Sequence, residues 1–204
     1  MSRDPVRAAT QFFGGRVCLD FANTMDWRTS DAPQELIPDY AALLSWSKAR
    51  GVLPAPAVAK LRAQAARKPA TASAAIEAAH ALRAEIWVMA DALREGRRAD
   101  VAALNRRLAD LPPQPRLVRG GIGYVHDLPG AVLAEPLWPV LWSLTALLSS
   151  EDAVRLGSCQ AQGCGWFFVD ESPNRTRLWC SSEVCGNRER ARRAYAKRRA
   201  GDSA

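Results

Sequence analysis

Cys159, Cys164, Cys180 and Cys185 form two C-x4-C pairs separated by 15 residues, which puts four of the chain's five cysteines in a window of 27. Disulfides would suit such clustering in a small secreted chain. The opening stretch "MSRDPVRAATQFF", however, lacks the apolar run a secretory signal needs, so the pattern favours metal ligation by thiolates. A dication held by four sulfurs requires two tight local turns and a middle segment long enough to bring the second pair back to the first, with Zn–S bonds of about 2.3 Å. This spacing supplies both. The alternative, chance clustering of reduced core cysteines, fits poorly with symmetric spacing in so short a segment. Closed structural sites of four thiolates are usually zinc sites rather than iron sites. We therefore expect one structural zinc per chain, which would supply folding energy to a segment too small to hold a core of its own.

The residues around the cysteines are consistent with such a site. Gly163 and Gly165 flank the second ligand, where positive φ would let amides turn toward sulfur. "VRLGS" and "GWFFVD" can pair as a hairpin across the first cysteine pair, and "SPNRTR" is a polar turn leading to Trp179. Ser181 is suited to cap a helix that carries Cys185 in or near its first turn. Knuckle, hairpin and ligand-bearing helix together make a treble-clef-like zinc finger. At 100° per residue, Val184, Ala191 and Tyr195 share one stripe of the helix that could dock, whereas Arg190, Arg193 and Lys197 gather on the opposite side. Arg188, Arg192, Arg198 and Arg199 flank these faces. Asn187, beside a ligand, is suited to brace the site by hydrogen bonds.

Charge points the same way. Of the formal net charge of +7, residues 155–204 carry +5, with 10 Lys/Arg against 5 Asp/Glu. That asymmetry suits an anionic partner, although a solvated basic helix at a terminus is the plainer reading. The most apolar stretch, "LWPVLWSLTALL", is too short for a membrane helix, so no membrane partner and a cytoplasmic location are expected.

Upstream, the pattern is mostly helical. Helices are expected over 38–50, with Pro38 in the first turn and Gly51 as the stop, and over 54–67, 70–96 and 99–111, which are rich in Ala, Leu and Arg. "PPQP" breaks the pattern, and "RLVRGGIGYVHDLPG" sets two β-type runs around Gly120-Gly121. Residues 137–148 read as a helix crossing the core. Segment 12–28 offers both strand alternation at Val17, Leu19 and Phe21 and helical spacing at Cys18, Phe21, Ala22 and Met25; helix is preferred. The fold class expected is α+β, a mostly helical N-terminal domain with a small β-hairpin or sheet over 1–152, then the treble-clef-like finger and its basic helix over 153–204.

The C-terminal stretch, with "WCSSEVCGNR" after "CQAQGCGWFFVDESPNRTR", resembles the CGNR zinc finger. All four ligands match, as do Gly186, Asn187 and Arg188 and, upstream, Phe168, Asp170, Asn174 and Arg175. The N-terminal "GGRVCLDFANTMDWR" resembles the opening of the ABATE domain, an α/β module found with that finger in bacterial stress-induced transcription regulators. The resemblance implies zinc binding and, as an expectation, DNA binding.

Three functional readings follow. In the first, Arg188, Arg190, Arg192, Arg193, Lys197 and Arg198 contact DNA phosphates, while the N-terminal domain senses a small-molecule effector or mediates homodimer association. In the second, the finger is an RNA-binding or protein-interaction module, with Trp166, Phe167, Trp179 and Tyr195 available to stack bases. In the third, Asp20, Asn23, Asp26 and Arg28 line a pocket in the N-terminal domain, although Asp and Asn more often brace local backbone. His80 and His126 lack a neighbouring nucleophile pattern, and Cys18 reads as a small buried hydrophobe, so no enzyme is expected.

Overall fold

The structure, a computed structural model, describes residues 10–111, 117–120 and 123–201. A short helix α1 (Val17–Ala22) leads to a two-residue strand β1 (Met25–Asp26), which pairs antiparallel with β2 (Gln34–Glu35). Helices α2 (Tyr40–Ala49), α3 (Ala55–Arg67), α4 (Pro69–Arg94) and α5 (Ala102–Ala109) follow. The hairpin of β3 (Leu117–Gly120) and β4 (Gly123–His126) comes next, then α6 (Trp138–Leu148). A 3-10 turn (Glu151–Arg155) runs directly into β5 (Leu156–Ser158), which pairs antiparallel with β6 (Phe167–Val169). A π-helical turn (Ser182–Gly186) then passes into the terminal helix α7 (Asn187–Gly201).

Local chemistry explains most of these bounds. Within segment 12–28 the helical reading holds over Val17–Ala22, where the Asp20 amide donates to the Arg16 carbonyl and the Asn23 amide to that of Leu19, both at 2.9 Å, and Cys18, Leu19, Phe21 and Ala22 are fully buried; Met25, expected on the same helical face, lies in β1 instead. Helix α2 begins at Asp39, whose carboxylate accepts the Ala42 amide at 2.7 Å. Pro38, expected in the first turn, therefore lies just before the cap. Gly51, at φ 74°, ends the helix as expected. Helix α5 is shorter than the expected 99–111, since the Asp100 carboxylate accepts the Ala102 amide and starts the helix there. The hairpin appears where the two β-type runs predict it, with Gly120 opposite Gly123. The "PPQP" break and Gly121 lie outside the described residues.

Helix α1 sits at the centre, against α4 and α6. Leu82, Ile86 and Met89 of α4, Val140, Leu144 and Leu147 of α6, and Leu43, Leu44 and Trp46 of α2 close the core around it. Strand β6 joins this core to a second one. Phe167 and Val169 point into the helical core, whereas Phe168, with Trp166 just before the strand, points into a smaller cluster with the four cysteines. Each fully buried Phe contributes about 1.5–3 kcal/mol by removal from water, so one three-residue strand ties the two clusters together. The boundary expected between residues 152 and 153 falls inside the 3-10 turn. Among the described residues, no helix is long and apolar enough to cross a membrane.

Candidate metal centre and nucleic-acid interface

The first cysteine pair lies at the tip of the β5–β6 hairpin, where the Cys159 amide donates to the Trp166 carbonyl at 2.7 Å and the Cys164 amide to the Ala161 carbonyl at 2.9 Å. The second pair flanks the start of the π-helical turn. Ser181 caps that turn, as the sequence predicts, by accepting the Val184 amide through its hydroxyl, and the Cys185 and Gly186 amides both donate to its carbonyl. All four sulfurs lie within 4.8 Å of one another. Cys164 to Cys180 is 3.9 Å, Cys164 to Cys185 is 3.7 Å, and Cys180 to Cys185 is 3.4 Å.

A tetrahedral zinc with Zn–S bonds near 2.3 Å has sulfur–sulfur edges of about 3.8 Å, so the donor set fits. All four cysteines are at least 95% buried, which leaves no open coordination position and makes the site structural rather than catalytic. Electrostatics agree. Hydrogen bonds from the other three thiols, Cys164 first, push Cys159 far down, whereas the contact with Cys159 pushes Cys164 and Cys180 far up. Four buried thiols this close cannot all ionise side by side, and a dication is what lets them do so.

One residue that sequence reasoning missed holds this centre in place. Arg177 donates to the carbonyls of Trp179 (3.0 Å), Val169 (3.2 Å), Phe13 (2.9 Å) and the ligand Cys180 (2.6 Å), and its guanidinium lies 4.1 Å from the Phe168 ring centroid. The Asp170 carboxylate accepts the Ser172 and Arg177 amides and fixes the intervening loop. Burial alone would raise the Asp170 carboxyl; the Ser172 hydroxyl and these amides hold it below its ordinary value. The signal for Arg177 is faint, because an Arg in a polar turn reads as solvated until its distant partners are placed.

Asp20, Asn23, Asp26 and Arg28 are buried or nearly so, and their polar groups engage the chain itself. Asp20 accepts the Gly14 amide at 2.8 Å and Arg50 Nε at 2.7 Å. Asn23 pairs with both backbone groups of Phe167, and Asp26 accepts the Trp27 amide at 3.0 Å. Arg28 donates to the Gly165 carbonyl at 3.0 Å, lies 4.4 Å from the Phe167 ring centroid, and pairs with Asp91. Trp166 Nε1 donates to the Met25 carbonyl, the Val169 amide to that of Gly14, and the Thr29 amide to that of Gly163. The N-terminal motif is thus the seat of the finger's hairpin.

The glycines beside Cys164 take their positive φ, 78° at Gly163 and 64° at Gly165, to admit this seat. A Cβ on Gly165 would stand 2.4 Å from Thr29 Cγ2, and one on Gly163 would stand 3.0 Å from Trp27 Cε3. Close approach of the 27–30 loop explains these glycines.

Helix α7 packs only at its start. Glu189 is buried, accepting the Gln162 amide at 3.1 Å and Arg192 Nε at 2.9 Å, whereas Ala191 is exposed and Tyr195 is 64% exposed. The expected docking stripe of Val184, Ala191 and Tyr195 therefore does not dock, because the helix runs past the finger after one turn. Asn187 donates to the Glu183 carbonyl at 2.7 Å and accepts Arg190 at 2.6 Å, bracing the turn that carries Cys185. Among the cations, Arg188, Arg190 and Arg192 contact Gln162 and Trp27, Ser182 and Asn187, and Glu189 respectively. Arg193, Lys197 and Arg198 lie on the exposed length beyond.

Cys18 is fully buried, and desolvation pushes its thiol up to about 12. His80 Nε2 lies 3.0 Å from the Ile37 carbonyl and 3.6 Å from Glu35, and His126 stands against the Trp142 ring.

Comparison with known proteins gives two matches in sequence order. The model of the ABATE family, described as "Putative stress-induced transcription regulator", matches residues 15–151, and that of the CGNR zinc finger matches residues 155–198. No curated protein matches the chain significantly.

Proposed function

Because the chain belongs to the ABATE family and ends in a CGNR zinc finger whose four cysteines are positioned to bind one metal ion, we propose that it is a DNA-binding transcription regulator. In this reading, zinc cross-links Cys159, Cys164, Cys180 and Cys185 and so fixes the start of α7. Arg193, Lys197 and Arg198, carried on the helix's solvent-facing length, contact backbone phosphates. Arg188, Arg190 and Arg192 hold the helix to the finger and contribute to the same field. The N-terminal unit senses a small-molecule effector or associates with a second copy.

The observation that carries this reading is the anchored start and exposed end of one strongly basic helix. Glu189 and the zinc-site turn anchor its first turn, while every described side chain from Arg190 through Arg199 is exposed. Cations held at fixed angles on an α-helix suit the regular phosphates of a duplex. Stacking on unpaired RNA bases would instead need exposed aromatics. Of the four candidate rings, Trp166 and Phe167 are buried and Trp179 is half-buried, which leaves Tyr195 as the exposed one; a single ring among the exposed cations of α7 favours the duplex reading. No catalytic role is included, since the Cys18 thiol is held neutral and His80 is engaged with backbone and Glu35.

The test is the salt dependence of duplex-DNA binding by zinc-loaded protein. Replacing Arg193, Lys197 and Arg198 together by Ala should reduce the slope of log K against log salt by about 3, at roughly 0.9 for each phosphate no longer neutralised. An unchanged slope contradicts the assignment.

A further inference from the structure

Trp27, on the seam between the two units, has φ 54°, a left-handed conformation that bulky residues rarely adopt. Its amide donates to Asp26 Oδ1, and its carbonyl accepts both the Ser30 amide at 2.9 Å and the Ser30 hydroxyl at 2.8 Å. Across the seam Gly163 leaves room for the indole edge. Both units are therefore shaped around the position of one aromatic ring.

Arg188, the residue after Asn187, lies on that ring. Its guanidinium carbon is 4.1 Å from the indole centroid, and its hydrogen bond to the Gln162 carbonyl is long, at 3.4 Å. The next residue is the buried Glu189. Burial alone would raise that carboxyl, but Arg192 and the Gln162 amide hold it below its ordinary value. These groups border a surface cleft of about 280 Å³ that opens beside α7.

We propose that the Trp27–Arg188 stack is a phosphate-contacting element, in which the N-terminal unit presents Arg188 to the backbone of duplex DNA, so that the DNA surface is built by both units. The inference rests on the DNA-binding reading above. A guanidinium held over an indole face can still donate N–H groups from its edge to phosphate oxygens. Holding it there beforehand reduces the side-chain freedom given up on binding. Arg188 and Arg198 are ten residues apart on α7, about 15 Å along the axis, so one helix can carry contacts from the seam to its exposed end. Arg192 borders the same cleft with its Nε on the Glu189 carboxylate, so Arg188 is the cation there that lies on the Trp27 ring. Trp27 acts through Arg188 and is a positioning residue.

The experiment uses the full, zinc-loaded chain and titrates duplex DNA at several salt concentrations, with zinc content measured for every variant. Arg188→Gln is expected to weaken binding and to lower the salt slope by about 0.9, the share of one neutralised phosphate. Trp27→Ala should weaken binding several-fold in the natural chain and add nothing in the Arg188→Gln background, while Trp27→Phe, which keeps a flat ring, should bind close to normally. If Trp27→Ala loses zinc, Arg188→Gln and Trp27→Phe still decide. Unchanged affinity and slope for Arg188→Gln, alongside a reduced slope for the Arg193, Lys197 and Arg198 triple variant, overturns this inference and leaves the DNA-binding reading standing. Equal losses from Trp27→Ala in both backgrounds also overturn it. A natural chain that binds no duplex removes both readings.

Discussion

The side-chain amide of Asn23 is paired with both backbone groups of Phe167, donating to its carbonyl at 2.8 Å and accepting its amide at 2.8 Å, across 144 residues of sequence. One side chain thereby does what a neighbouring strand would do for β6. It also joins the N-terminal motif to the finger at a fully buried point, since Asn23 is 3% exposed and Phe167 is 0%.

Removing this pairing should therefore cost more than an ordinary side-chain deletion. Asn23→Ala leaves the buried amide and carbonyl of Phe167 unsatisfied, at about 1–3 kcal/mol for each group. We expect chemical denaturation to show a loss of about 3 kcal/mol. Asn23→Asp, which can accept but cannot donate, should also destabilise the chain. A loss below about 0.5 kcal/mol for Asn23→Ala would mean that water enters and replaces the pairing.

Arg177 tests how the zinc site is held. It donates to the Cys180 carbonyl as well as to Phe13, Val169 and Trp179, and a lysine has a single nitrogen in place of this fork. Loss of groups that orient metal ligands typically lowers metal affinity by about ten- to a hundredfold. Arg177→Lys should show a drop of this size in competition with a chromophoric chelator. Equal zinc affinity in the two proteins would leave Arg177 with no part in ligand positioning.

The β1–β2 pair is clamped by charge. Arg83, almost fully buried, pairs through both terminal nitrogens with Glu35 and also reaches the Thr24 hydroxyl; His80 faces the same carboxylate at 3.6 Å. Burial alone would raise the Glu35 carboxyl, but the Arg83 guanidinium overrides it and holds the group below its ordinary 4.5. A carboxyl lowered in the folded state contributes stability above its unfolded value and loses that contribution as pH falls through the folded value. Glu35→Gln should thus destabilise the chain at neutral pH by about 3 kcal/mol, because the buried guanidinium loses its partner. The gap from the natural chain should narrow steadily as pH falls below about 4.5. Comparing the two proteins at each pH removes the shared effect of acid on zinc. A gap that stays constant down to pH 3 would show that Glu35 does not titrate with folding.

Much of this fold is legible in the sequence because its signals are local. Ala- and Leu-rich runs announce α3 and α4, Ser181 announces its own cap, and the cysteine spacing places four sulfurs around one point. What the sequence conceals is contact between its two ends. Asn23 and Arg28 resemble pocket residues when read within their own segment, since nothing at helical or strand spacing indicates partners at 165 and 167. Gly163 and Gly165 likewise suggest turns around a metal, and the loop that needs their missing side chains lies about 135 positions earlier. The exposure of Tyr195 is hidden for a different reason: amphipathic spacing says which residues share a face, but not how far along the helix a partner surface extends.

The central claim is that zinc fixes a basic helix as a DNA-binding surface, and it is tested most directly by duplex-DNA binding measured on one preparation loaded with zinc, stripped, and reloaded, at two salt concentrations. The account predicts one zinc per loaded chain, binding that weakens steeply as salt rises, loss of binding on metal removal, and recovery when zinc is returned. Duplex binding that persists unchanged after complete metal removal, or that is absent from the fully loaded chain, would contradict it.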